Sequence, residues 1–449
     1  MDLHIPAGAA AALEALERRG FESYVVGGCV RDSLLGREPH DWDVCTAARP
    51  EQVEAVFAGR RVLETGLKHG TVTVLTEDGP LEITTFRTEG PYSDQRHPDS
   101  VAFVDDVHQD LLRRDFTINA MAWSPRRGLR DDFGGREDLA AGLVRCVGRP
   151  EDRFGEDALR ILRALRFAAR YGFVIEERTA AAVRALREDL GRVSPERIFS
   201  ELKGILCAPG AGEMLRSFPE VFFVFLPEMA PCLGFDQHMP RHHQYDVWGH
   251  ITRTVDAAEQ DVILRLTMLF HDAGKPACFT LDPETGEGHF YGHPQAGALL
   301  ADRMLRRLRS DNALREAVVA LVNDHDFRSN GSKKAVRRLL ARLGEENTRR
   351  LYAVILSDAA GHTPETGERM RARAEELRRL TGEILAEDRC LRTEDLAIGG
   401  RELLDMGMAP GPAVGELLRR LLEEVWDERT PNEREALLCR AREIKEEAP

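Results

Sequence analysis

The chain is 449 residues long, which at about 150 residues per domain predicts about three domains. A 43% hydrophobic and 31% charged composition suits a helical protein with real cores and excludes disorder, while 62 basic against 76 acidic residues, a net charge of −14, excludes a uniformly basic nucleic-acid coat. Any RNA site is therefore a local patch on an acidic body. No apolar run reaches the roughly 18 residues of a membrane span, and the start MDLHIPAGAAAALEALERRG is amphipathic and unlike a signal peptide. Eight scattered cysteines without a CxxC predict inert thiols in a reducing cytoplasm, and the expected localisation is cytoplasmic with no membrane partner.

Strands come first. YVVGG at 24–28 and WDVCT at 42–46 are short apolar runs, and GTVTVLTEDGPLEITTFR at 70–87 alternates β-branched residues on both sides of an EDG turn, a hairpin. VAFV at 101–104 predicts a further strand. From about 150 the strand signal stops, and EDALRILRALRFAARYGF places Leu159, Leu162, Leu165 and Phe167 at a helical period. RLTMLFHDAGKP, NALREAVVALVNDHD and GELLRRLLEEVW continue it. Gly/Pro punctuation at 208–212, 227–240 and 361–367 marks boundaries. The expected class is α+β: a small mixed sheet followed by a long all-helical remainder.

Asp41 and Asp43 are two apart in the strand-like WDVCT segment, so their side chains are expected to leave one face. Two convergent carboxylates are what a pair of divalent cations needs for phosphoryl transfer. Glu82, in the second arm of the hairpin, is placed to join them. Gly27 and Gly28 stop a strand just before the helix VRDSLLG, and backbone N–H groups at such a turn, with Arg31 beside them, form a phosphate cradle. An isolated DxD is more often a solvated turn; this order of features argues otherwise.

GGCVRDSLLGREPHDWDV resembles the signature of the polymerase-β-type nucleotidyltransferases, in the branch of class II tRNA nucleotidyltransferases (CCA-adding enzymes) and bacterial poly(A) polymerases. The resemblance continues through RTEGPYSDQRHP at 87–98, RRDFTINAMAW at 113–123, DDFGGREDL at 131–139, EDALRILRALRF at 156–167 and SPERIFSEL at 194–202, covering the first half of the chain. It implies a polymerase-β-like head at 1–145, a base-recognising neck at 146–207, a body with an HD domain at 208–360 and a tRNA-binding tail at 361–449. It implies that Asp41 and Asp43 hold two Mg²⁺, one lowering the pKa of the attacking 3′-hydroxyl and one steadying pyrophosphate, with Glu82 as a third catalytic carboxylate. Arg113, Arg114, Asp115 and Asn119 would serve triphosphate and ribose, Asp115 holding an arginine in place. Gly134-Gly135 resembles the family's hinge between head and neck.

Asp157 and Arg160 are three apart and are expected to share a helix face. A carboxylate beside a guanidinium presents acceptors next to donors, which matches the amino group and ring acceptor of cytosine and of adenine and mismatches uracil and guanine. In the family this pair reads the incoming base. Arg163 and Arg166 continue the spacing towards the triphosphate, and Glu196, Arg197 and Glu201 buttress the helix. A surface salt-bridge ladder is the plain alternative.

In the second half, His250, His271-Asp272 and Asp358 resemble the H…HD…D ligands of HD phosphohydrolases, which would take Mn²⁺, Ni²⁺ or Co²⁺; His293 and His325 suit a second metal or a substrate phosphate. His238, His242 and His243 match no motif and are read as surface residues. The segment from LAIGG to NEREALL resembles the tail of Gram-positive-type family members. KKAVRRLLARL at 333–343 and RMRARAEELRRL at 369–380 are either tRNA tracks or plain exposed helix faces.

The resemblance therefore implies addition of CCA to tRNA 3′ ends from CTP and ATP without a nucleic-acid template. The alternatives are A-adding, CC-adding or poly(A) polymerase activity, and, from another class, an HD phosphohydrolase. RTEGPYSDQRHP resembles the loop of enzymes that complete the terminal A, which disfavours CC-only addition.

Overall fold

The computed structural model describes residues 3–67, 70–90, 100–328, 332–387 and 390–447. The chain divides into two compact units, 1–230 with 307–309 and 231–306 with 310–449, so the boundary falls inside the proline-bearing stretch 227–240. Residues 91–99, most of the expected loop RTEGPYSDQRHP, lie outside the described residues.

The first unit is built on a seven-stranded mixed sheet. β1 (Ser23–Val26), β2 (Asp43–Thr46), β3 (Val62–Gly66), β4 (Thr71–Thr76) and β5 (Gly79–Thr85) lie in the order β3-β4-β5-β2-β1, followed by Met121–Ser124 and Gly128–Asp131. The alternation that predicts the hairpin is the alternation of burial: Val72, Val74, Leu81 and Ile83 point inward, and Gly79, at φ 119°, makes the turn that β-branched neighbours could not. β2 and β5 run parallel and the other pairs antiparallel. A two-stranded ribbon, Arg87–Glu89 with Val101–Phe103, accounts for the strand expected at 101–104.

Three strands of the sheet carry no signal in the sequence analysis. Met121–Ser124 is buried on both faces, so it does not alternate, and Val62–Gly66 and Gly128–Asp131 are short edge segments whose pairing comes from their neighbours. Strand pairing also reappears after residue 150, at Val174–Ile175 against Leu143–Val144 and at Thr280–Leu281 against Gly288–His289. Both are two-residue pairs, too short to show a period.

The helix Leu159–Tyr171 buries Leu159, Ile161, Leu162, Leu165 and Phe167, and Gly172, left-handed at φ 69°, ends it. It packs on the helix Pro195–Leu206. In the second unit Val262–Phe270 is buried from Leu264 to Phe270 and serves as the central helix for Val247–Ala257, Asn312–Asp324 and Lys333–Ala359. The last helices, Pro412–Trp426 and Arg434–Glu447, close a small core of Leu403, Leu417, Leu421, Leu422, Trp426 and Leu437. No helix among the described residues is long and apolar enough to cross a membrane.

One buried carboxylate ties the head to the helix behind it. Asp115, 8% exposed, accepts from Nε and Nη2 of Arg163 at 2.8 and 2.6 Å, from Nδ2 of Asn119 at 3.1 Å and from the backbone N–H of Phe116 at 2.8 Å. Burial opposes its charge, but Arg163 and Asn119 win and hold its pKa down to about 2 from 3.8. A depressed carboxylate pKa adds stability that is present above the unfolded value and disappears as pH falls through the folded one. Asp115→Asn is therefore expected to cost about 1.5–3 kcal/mol at pH 7. In thermal melts the gap to the wild type should be widest above pH 5 and narrow as pH falls towards 3.

Candidate active site and a second buried cluster

The register of β2 against β5 sets Asp43 directly beside Glu82. Asp41 lies two residues upstream, just outside the strand, and the side chains of Asp41 and Glu82 are exposed. Loss of solvent pushes the Asp43 carboxyl above its ordinary value; Arg114 pulls it down, and Glu82 and Asp41 push it up again. Three carboxylates that repel one another across adjacent strands form a donor set of oxygen ligands suited to hard divalent cations. Gly27, at φ 81°, turns β1 into the helix Gly28–Leu34, and a Cβ there would come within 2.8 Å of Nη1 of Arg114. The glycine lets that guanidinium lie against the turn.

The arginines differ in how far they are committed. Arg31 is buried; it donates to Asp32 at 2.9 and 3.0 Å and to Oδ1 of Asn119, and it lies over the rings of Phe167 and Tyr171. Arg113 bridges Asp110 and Glu89 at 2.8–3.0 Å, and Arg114 reaches Asp110 at 3.4 Å. Arg166 is 3.0 Å from Glu201, a carboxylate that burial raises above its ordinary value. Gly135 begins the helix Gly135–Ala141 so close to the carbonyl of Thr117 that a Cβ would stand 2.2 Å from it. At that position the glycine pair makes a tight contact, and Asp131 caps it through the N–H groups of Gly135 and Arg136.

The expected shared helix face of Asp157 and Arg160 needs correction. Asp157 is extended, at φ −144° and ψ 104°, in the break between the helices Pro150–Glu156 and Leu159–Tyr171, because its Oδ1 accepts from the N–H of Leu159 at 3.0 Å. Its Oδ2 accepts from Arg197 at 2.7 Å. Arg160 is held by Glu156 at 2.5 Å and by the carbonyl of Arg153 at 3.2 Å. Each side chain is thus positioned by a separate partner. Glu156, four residues before Arg160, is the partner that the motif does not signal.

A second set of chemistry-bearing side chains converges in the other unit. His250 and His271 are completely buried, with their Nε2 atoms 3.1 Å apart. Asp272 Oδ2 lies 3.3 Å from each, and Asp358 Oδ1 lies 2.9 Å from His250 and 3.5 Å from His271. Lys275 approaches Asp272 Oδ2 at 2.7 Å. The surface reading of His243 is corrected: it is half-buried, its ring 4.4 Å from that of His362 and 5.3 Å from that of His250. An antiparallel bridge between His243 and His362 brings them together, a long-range pairing with no local signal. The basic stretch 333–343 is largely neutralised, with Lys334 on Asp427, Arg338 on Glu423 and Arg342 on Asp324.

Residues 23–145 match the family model of the poly A polymerase head domain, 172–233 that of a probable RNA- and SrmB-binding site of polymerase A, and 298–441 that of a putative tRNA nucleotidyltransferase domain 2. A CCA-adding enzyme of Lactobacillus delbrueckii subsp. bulgaricus is 34% identical over 430 residues, covering 95% of this chain and 94% of that protein. One of Streptococcus thermophilus is 31% identical, covering 97% and 96%. The crystal structure of the Bacillus stearothermophilus CCA-adding enzyme in complex with CTP is similar at a TM-score of 0.70 and 27% identity, covering 98% of this chain and 97% of that one. With relatives matched from end to end and a nucleotidyltransferase head whose carboxylates sit side by side, this chain belongs to the CCA-adding enzyme family.

Proposed function

We propose that this protein adds C, C and A to tRNA 3′ ends, taking CTP and ATP and releasing pyrophosphate, with selection by protein side chains. The observation that carries the reading is the β2–β5 register, which sets Asp43 beside Glu82 with Asp41 just upstream. A family relative of similar fold is described in complex with CTP. Nucleotidyltransferases depend on divalent metal; here Asp41 and Asp43, with Glu82 adjacent, would hold Mg²⁺, which supplies a more acidic 3′-hydroxyl and charge neutralisation on the phosphates. Gly27, Gly28, Arg31, Arg113, Arg114, Asn119, Arg163 and Arg166 are the proposed nucleotide-binding residues, with Asp115 fixing Arg163. Asp157 and Arg160 are the residues proposed to read the Watson–Crick edge of the incoming base. We place the enzyme in the cytoplasm, in keeping with eight free thiols.

The convergence of His250, His271, Asp272 and Asp358 favours a second reading alongside the first, a metal-dependent phosphohydrolase site of HD type that takes Mn²⁺, Ni²⁺ or Co²⁺.

Assays on tRNAs ending at the discriminator base, at C and at CC, with labelled CTP or ATP, test the main reading: C, C and then A is expected, and A on the CC end alone makes it an A-adding enzyme. Asp41→Ala or Asp43→Ala should abolish addition on every end with tRNA binding nearly intact. Retention of more than about a tenth of the rate, a loss below roughly 1.4 kcal/mol, contradicts the metal assignment. Asp157→Asn keeps an acceptor for Leu159 but replaces one oxygen by a donor. Steady-state kinetics should show kcat/KM for CTP and ATP falling about 5- to 150-fold, the equivalent of roughly 1–3 kcal/mol, while rejection of UTP and GTP relaxes. His271→Ala with Asp272→Ala should leave CCA addition largely unchanged, since neither belongs to the unit that carries Asp41 and Asp43. Hydrolysis of phosphate esters with Mn²⁺, Ni²⁺ or Co²⁺ should disappear; a wild type that hydrolyses none removes the phosphohydrolase reading.

A further inference from the structure

Asp110 is a carboxylate with no exposed surface on the helix Val107–Leu112, which runs into the segment carrying Arg113, Arg114 and Asp115. Spacings of three and four residues bring both arginines within its reach. Its Oδ1 accepts from Nε and Nη2 of Arg113 at 3.0 and 2.8 Å, and its Oδ2 from Nη2 of Arg114 at 3.4 Å. The backbone N–H of Arg87 adds a contact at 3.4 Å. Burial opposes the charge of Asp110, but Arg113 and Arg114 outweigh it and hold the carboxyl below its ordinary value.

Glu89 completes the set from the ribbon strand Arg87–Glu89, with a side chain 8% exposed. It accepts from Nη1 of Arg113 at 2.9 Å and from Nε and Nη2 of Arg87 at 3.2 and 3.0 Å. Three guanidiniums therefore face two carboxylates, and one positive charge is left over. The geometry says which. Asp110 and Glu89 engage all three nitrogens of Arg113, and Glu89 also engages Arg87. Among the described residues, Arg114 has the long contact to Asp110 alone, and its buried Nε has no hydrogen-bond partner. Its Nη1 lies so close to the glycine turn that a Cβ at Gly27 would stand 2.8 Å away, and its charge opposes the burial that raises the Asp43 carboxyl. A buried donor left without a partner is costly, and a phosphate oxygen, which accepts and carries charge, satisfies it.

We infer that Asp110 and Glu89 are positioning residues for the triphosphate: they absorb Arg87 and Arg113 as a frame and hold Arg114 at the Gly27 turn as the cation that meets the phosphates. This rests on the nucleotidyltransferase reading and divides its arginines, placing Arg113 in the frame and Arg114 on the ligand. Without Asp110, the anions left to Arg114 are Asp43 and its neighbours, and the guanidinium turns from the nucleotide towards them. Without Glu89, Arg113 leans on Asp110 alone and competes with Arg114 for it.

The test measures binding of CTP and of CMP to the full chain, together with the kinetics of C addition to a tRNA ending at the discriminator base. Asp110→Asn should weaken CTP binding and raise its KM about 5- to 30-fold. CMP binding and kcat should stay nearly unchanged, because the contact is to the outer phosphates and is made in ground and transition states alike. A merely deformed site would lose both ligands. In the Arg114→Ala background, Asp110→Asn should add nothing, since it acts through that side chain. Glu89→Gln should move CTP the same way by a smaller factor, and it carries the test if Asp110→Asn does not fold. Equal loss of CTP and CMP, an additive loss on top of Arg114→Ala, or CTP binding that is unchanged or tighter overturns the positioning role, while C addition by the wild type keeps the nucleotidyltransferase reading. A wild type that neither binds CTP nor adds C overturns both.

Discussion

The ion pair between Asp115 and Arg163 is the contact on which the first unit depends. Each carboxylate oxygen has work: Oδ1 takes the N–H of Phe116 and the amide of Asn119, and Oδ2 takes both nitrogens of Arg163. Asn119 in turn accepts from Arg31, Arg31 pairs with Asp32, and Asp32 accepts from the hydroxyl of Tyr171 at 2.8 Å. A closed circuit therefore runs from the glycine turn through the 113–119 segment to both ends of the helix Leu159–Tyr171. Phe116 and Phe167, edge to face at 5.7 Å, fill its apolar side. Removing one member leaves another charge buried without its partner, which costs far more than the pair contributes net. The turn and the helix are thereby tied together by buried polar contacts.

In the histidine cluster of the second unit, backbone carbonyls hold Nδ1 of His250, His271, His293 and His325. Their Nε2 atoms lie against Asp272 and Asp358, with Lys275 2.7 Å from Asp272.

Local pattern explains what was legible in the sequence. The hairpin at 70–87 and the helix from Leu159 each carry a period that burial imposes on their residues, whereas the strands at 24 and 43 show only as short apolar runs. Met121–Ser124 is buried on both faces and carries none. The meeting of Asp43 with Glu82 was anticipated from the order of strands, yet its exact register is set by the β2–β5 ladder. His362 matches no motif: it lies 3.4 Å from Asp358, four residues before it, and meets His243 only through a bridge between segments about 120 residues apart.

The displacement of Asp157 from the helix bears on how a side chain reads a base. On the helix, Asp157 and Arg160 would be free to pair with each other and would have to be separated before a nucleotide could bind. In the break before the helix, Asp157 has Oδ1 pinned by Leu159 and Oδ2 by Arg197, while Glu156 holds Arg160. An ionised carboxylate offers about four acceptor positions and a guanidinium five donors. Two acceptors of Asp157 are used, so lone pairs remain for an exocyclic amine, and Arg160 keeps donors for a ring acceptor. The pinning removes rotamers that would otherwise be lost on binding, so less of the base's interaction energy goes into ordering the reader. On the proposed reading a wrong base would meet an acceptor that cannot swing away, and selectivity would draw on Arg197 and Glu156, which hold Asp157 and Arg160, as much as on those two residues.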